Sequence, residues 1–124
     1  MKTEIDIEVT VTEIIRQFGI LAHIKGYRYL KRALILCTEN SEMVIAATAL
    51  LYPTLAAEFG TTSSRVALSI SRAIGTAWNK GNREALNQYF NKTVLAKSRK
   101  PANAEFIAGV SDRLRLKLKI KMQG

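Results

Sequence analysis

The chain reads as an all-α fold, a compact multi-helix domain containing a helix-turn-helix, and three observations predict it. Hydrophobic residues make up 48% of the 124 positions, enough to bury one core. Apolar residues recur at helical spacing through the middle of the chain, punctuated by Gly19, Gly60 and Gly81 and by clusters of Ser, Thr and Asn. Lys and Arg total 19 against 10 for Asp and Glu, a formal net charge of +9. A small domain that basic attracts polyanions, and nucleic acid is the first candidate.

The elements follow in order. From Glu4 to Val11 polar and apolar residues alternate, a period of two that predicts a short strand or extended arm. Thr10 and Glu13 then read as a capping box for a first helix, which Gly19 ends. A second helix is expected from Tyr27 to Thr38 and a third from Ser41 to Leu51. Pro53 suits the first turn of a new, short helix, where its missing N–H costs nothing. That helix ends at Phe59-Gly60. The run Thr61–Ser64 offers cap-forming side chains, and a long helix follows to about Asn79, stopped by Gly81. A further helix covers Arg83–Phe90, Lys97–Asn103 reads as a loop around Pro101, and a last helix runs from Ala104 to Leu114.

The tail from Arg113 to Lys121 alternates basic and apolar residues. An acidic strand at one end and a basic strand at the other suit a short two-stranded β ribbon, within one chain or between two. The plainer alternative is two frayed ends, with the last helix running on through Leu116. The division expected is therefore 1–10 as an N-terminal arm or strand, 11–118 as the helix-turn-helix effector domain and 119–124 as a basic tail.

The functional argument rests on Leu51–Asn79. A short helix, a glycine turn and a longer helix form the helix-turn-helix pattern. On the longer helix Val66, Ile70, Ala73 and Ala77 share one stripe, bordered by Ile74, and should pack inward. Ser64, Leu68, Ser71, Gly75 and Asn79 lie opposite, flanked by Arg65 and Arg72. A helix with that outer side suits a major groove. Arg65 and Arg72 have the reach for guanine or phosphate, Ser64 and Ser71 can donate, and Leu68 can touch a thymine methyl. Thr62 and Ser63, at the helix start, bring free backbone N–H groups to a phosphate.

The same residues resemble a known family. The stretches Ala22–Tyr27, Leu51–Pro53, Phe59–Thr62, Ser64–Val66, Ala73-Ile74, Ala77-Trp78, Gly81-Asn82, Lys100-Pro101, Glu105–Ala108 and Leu114–Leu116 keep the order and spacing of a C-terminal effector domain. That family is the DNA-binding effector domain of the master sporulation response regulator, the stage-zero sporulation transcription factor, of endospore-forming Firmicutes. The resemblance covers about Ile14 to Leu118. It implies an all-helical DNA-binding domain with its recognition helix over 63–79, acting at short promoter boxes often bound by tandem copies. It also favours reading Lys97, Arg99 and Lys100 as a phosphate clamp rather than a solvated charge run.

Two departures from the family stand out. Positions 67, 68 and 71 hold Ala, Leu and Ser where family members usually carry Glu, Arg and Arg. Bidentate base contacts worth roughly 1–3 kcal/mol each are lost with them, so the family box is not expected here. The family also carries an upstream phosphoacceptor domain. Asp6 and Asp112 are the only aspartates, too few for a phosphoaspartate site with Mg²⁺. The expectation is a receiver-less effector if the chain is complete; if it is a fragment, nothing follows.

Other functions find little support. One cysteine, Cys37 in an apolar run, reads as a buried thiol; one histidine, His23, lacks partners at metal-ligand spacing. No catalytic motif occurs, so no enzyme, cofactor, metal or small-molecule substrate is expected. There is no signal peptide and no apolar run near a membrane span, so a cytoplasmic protein without membrane contact is expected. The partner is double-stranded DNA, bound as a homodimer or in tandem copies. The competing reading is an interaction protein that pairs with or antagonises a full-length family member.

Overall fold

Residues 4–90 and 100–123 are described in a computed structural model, and every regular element among them is helical. Helix α1 (Glu4–Gln17) opens the chain. The strand or arm expected at its start is not formed. Ile7, Val11, Ile14, Ile15 and Phe18 make one helical stripe, of which the last four are buried and Ile7 packs against the core. The alternation stopped too early to show this, and Val9, which breaks the stripe, is exposed. Thr10 accordingly lies inside α1 and opens no helix. Gly19, at φ 86°, takes the left-handed conformation that reverses the chain after α1.

Helix α2 (Tyr27–Glu39) is the centre of the molecule, packing against α1, α5 and α7. Leu30, Ala33, Leu34 and Cys37 form its buried side. After it the Asn40 side chain accepts from the Glu42 N–H at 3.0 Å and starts α3 (Glu42–Ile45). The third helical region, expected from Ser41 to about Leu51, is formed in two pieces. Within that region a wide π turn covers Ala47–Leu51 and passes directly into α4 (Tyr52–Phe59). Pro53 sits in the first turn of α4, as expected.

Helix α5 (Ser63–Lys80) buries Val66, Ile70, Ala73, Ile74, Ala77 and Trp78. At its end Gly81 lies so close to α1 that a Cβ there would stand 2.1 Å from the Phe18 carbonyl oxygen. The Asn82 side chain accepts from the Glu84 and Ala85 N–H groups and caps α6 (Arg83–Asn87). Phe18, Tyr89, Phe90 and Phe106 then close the core with ring contacts between 5.2 and 5.6 Å.

Helix α7 (Asn103–Gln123) takes up the whole basic tail. The β ribbon is therefore corrected: no strand occurs among the described residues. Phe106, Ile107, Val110, Leu114 and Leu118 are buried at helical spacing, whereas Leu116, in step with the alternation, is exposed. Two of the basic residues have partners elsewhere in the fold. Arg115 donates to the Cys37 carbonyl at 2.6 Å, and Lys117 donates to the Tyr89 hydroxyl at 3.1 Å.

Candidate nucleic-acid interface

The short helix α4 meets the long helix α5 through a turn built by two residues. Gly60, at φ 63°, closes α4 in the left-handed region, where a side chain would be strained. Thr62 is extended, and its hydroxyl accepts the Arg65 N–H at 3.2 Å, capping α5. Losing such a cap costs about 1 kcal/mol. The boundaries of α5 agree with the sequence reading to within a residue.

The outer side of α5 carries the residues expected there. Ser64, Arg65, Leu68 and Arg72 are all exposed, and Leu68 is 51% exposed at the crest. Neither Arg65 nor Arg72 meets a carboxylate among the described residues. Thr62 is exposed and Ser63 half-buried, both at the uncovered start of the helix.

Ser71 is placed differently. It is half-buried, and Lys100 Nζ donates to its hydroxyl at 2.6 Å and to its carbonyl at 3.0 Å. Lys100, expected in a phosphate clamp, thus lies on α5 itself, with Gly75 beside it. Two turns of contact are completed by Asn103, whose side-chain amide donates to the Ala67 carbonyl at 2.9 Å. Asn103 escaped the sequence reading, because a bond across so much chain leaves no local pattern. Lys97 and Arg99 lie outside the described residues.

The opposite edge of α5 faces α2. A shallow hollow of about 370 Å³ opens there between Lys25, Tyr29, Thr61, Arg65, Leu68 and Arg72. The basic side chains Arg28 and Arg32 of α2 fasten α4. Arg32 makes a paired contact with the Glu58 carboxylate at 3.0 and 3.2 Å. The Arg28 guanidinium lies 4.9 Å from the Phe59 ring centre, and Tyr29 meets the same ring edge-on at 5.0 Å.

The remaining chemistry-bearing groups are structural. Burial pushes the Cys37 thiol up to about 11, against a smaller lowering by Arg115. A thiol held protonated in this way is a poor nucleophile. Trp78 is buried, and His23 is exposed. Among the described residues no cluster of His, Cys, Asp or Glu suits a metal ion, and no helix is long and apolar enough to cross a membrane.

A basic all-α domain that offers one capped, arginine-edged helix to solvent has the make-up of a DNA-binding effector domain. Residues 11–114 match the family described as sporulation initiation factor Spo0A C terminal. The chain belongs to that family, the DNA-binding effector domain of a sporulation transcription factor.

Proposed function

We propose that the chain is a transcription regulator that lays α5 in the major groove of double-stranded DNA, as the second helix of a helix-turn-helix begun by α4. The observation that carries this reading is the outer face of α5: exposed Ser64, Leu68 and Arg72, edged by Arg65, with no carboxylate paired to either arginine among the described residues. Ser64, Arg65, Leu68 and Arg72 face the bases. Ser71 is the remaining base-facing residue, its hydroxyl accepting from Lys100 in the free chain. Thr62, Ser63 and Lys100 take phosphates, with Lys97 and Arg99 as the further cations of the clamp. Copies act on short promoter boxes singly, as a homodimer or in tandem, in the cytoplasm and without a small-molecule substrate.

Because Leu68 offers a thymine methyl contact and no hydrogen bond, the box should differ from the family's. The test is retention of a randomised duplex library at two salt concentrations, followed by sequencing. An enriched motif is expected, with retention falling steeply as salt rises. Arg65→Ala should weaken binding and relax the motif at one position, by about 1–3 kcal/mol for a bidentate guanine contact. Failure to retain any duplex at low salt would overturn the reading. It would favour the interaction protein, for which the exposed apolar Leu68 at the crest of α5 would then be the contact.

A further inference from the structure

The cations of α2 and α7 whose partners are known are used inside the protein. Arg32 holds Glu58, Arg28 covers Phe59, Lys31 approaches Glu8 at 3.9 Å, and Arg115 holds the Cys37 carbonyl. The hollow beside α5 is different. Lys25, Arg65 and Arg72 converge on it, none of them in an ion pair among the described residues, and no carboxylate lines it. Three positive side chains around a depression with nothing to neutralise them raise the local potential and favour an anion.

Lys25 is also held in place. The next residue, Gly26, has an ordinary φ of −81°, so its lack of a side chain serves space alone. A Cβ on Gly26 would stand 2.1 Å from the Ser69 carbonyl oxygen and 2.9 Å from the Ala73 Cβ. The start of α2 is therefore pressed on the middle of α5, which brings Lys25 to the hollow that Arg65 and Arg72 also line. No side chain caps the first turn of α2, which begins at the same spot. Its dipole adds positive potential at the hollow. Tyr29, the far wall, is fixed by its edge-on contact with Phe59.

We infer that this hollow seats a backbone phosphate of the DNA, with Lys25 as its principal cation. Lys100 lies on the other edge of α5, against Ser71 and Gly75. A helix in the major groove has one phosphate chain on each side. Lys25 and Lys100 straddle α5 in the same manner and fix how it sits across the groove. The inference rests on the DNA-binding reading above and adds to it the second edge.

The test uses the full chain and two duplexes, one carrying the motif retained from the library and one scrambled, with affinity measured by fluorescence anisotropy across a salt series. Lys25→Gln should weaken both duplexes by the same factor and leave the preference between them unchanged. The slope of log affinity against log salt should become shallower by about 0.9, one phosphate's worth. Lys31→Gln removes the same charge from α2 outside the hollow and should leave the slope alone. Equal effects of the two variants would overturn the seat, since only net charge would then matter. So would an unchanged slope in Lys25→Gln while the unaltered chain still binds, and in that case DNA binding itself would stand. A chain that binds neither duplex at low salt fails the underlying reading and the seat together. The thermal melt of Lys25→Gln should match that of the unaltered chain, because Lys25 is exposed and in no ion pair among the described residues.

Discussion

The two edges of α5 are held by unlike means. On the α2 edge, Gly26 lies against the Ser69 carbonyl with no room for a methyl group, and the Arg32–Glu58 and Tyr29–Phe59 contacts brace α4 beside it. On the other edge, Lys100 and Asn103 reach α5 through polar side chains, with Lys100 itself exposed. A contact made by excluded volume cannot be exchanged, whereas a hydrogen bond in reach of water can be replaced by another of similar strength. The first edge sets where α5 stands. On the proposed DNA-binding reading, the second can trade Ser71 for a phosphate oxygen at little cost.

The comparison is broken most directly at Gly26. Gly26→Ala should cost about 3 kcal/mol, because the added Cβ meets backbone that cannot move aside. The midpoint of a circular-dichroism melt should fall by about 10 °C; an unshifted melt would mean that this edge is not fixed by volume. Smaller is the brace between α2 and α4. Glu58→Ala should lower stability by only about 0.5 kcal/mol, since both partners are more than a third exposed, at 38% and 35%. Urea titration resolves that difference.

Lys100→Ala should change stability by less than about 0.5 kcal/mol, yet weaken DNA binding on every sequence alike. A loss of stability as large as that of Gly26→Ala would show that the two edges are equivalent after all. The least perturbing probe is Cys37, on the buried side of α2. Burial raises its folded pKa from 9.0 to about 11, so the fold favours the protonated thiol. That contribution is complete below pH 9 and is lost as pH rises toward 11. A thiol reagent at pH 8 should therefore react only when α2 opens: slowly in the unaltered chain and in Lys100→Ala, faster in Gly26→Ala.

How much of this was legible in the sequence depends on how local each signal is. The turn between α4 and α5 was readable because Gly60 and Thr62 each act on the nearest turn of chain. The termini were not. Strand and helix periods agree at every fourth residue, so Ile7 and Val11, or Leu114 and Leu118, satisfy both. Only Ile14 and Phe18 at one end, and Ile107 at the other, fall at helical but not at strand spacing and reveal the stripe. The face of α5 was visible in its own periodicity, but the pairing of Ser71 with Lys100 joins residues far apart in the chain and left no trace. The close approach of Gly26 to Ser69 likewise joins residues far apart in the chain and was not read.

The wide turn at Ala47–Leu51 bears on which changes of length the chain can absorb. A π turn takes in one residue more per hydrogen-bonded ring than an α turn. Pro53, lacking an N–H, makes no demand on the Ala49 carbonyl, and the Thr54 hydroxyl bonds the Leu50 carbonyl at 2.7 Å. Removing one residue from Ala47–Ala49 would let this stretch rewind as ordinary α-helix, leaving α4 in register with α5. The same deletion inside α5 would swing every later side chain by about 100° and turn Arg72 and Asn79 away from the outer face. The molecule thus keeps its slack ahead of the turn that presents α5 and has none beyond it.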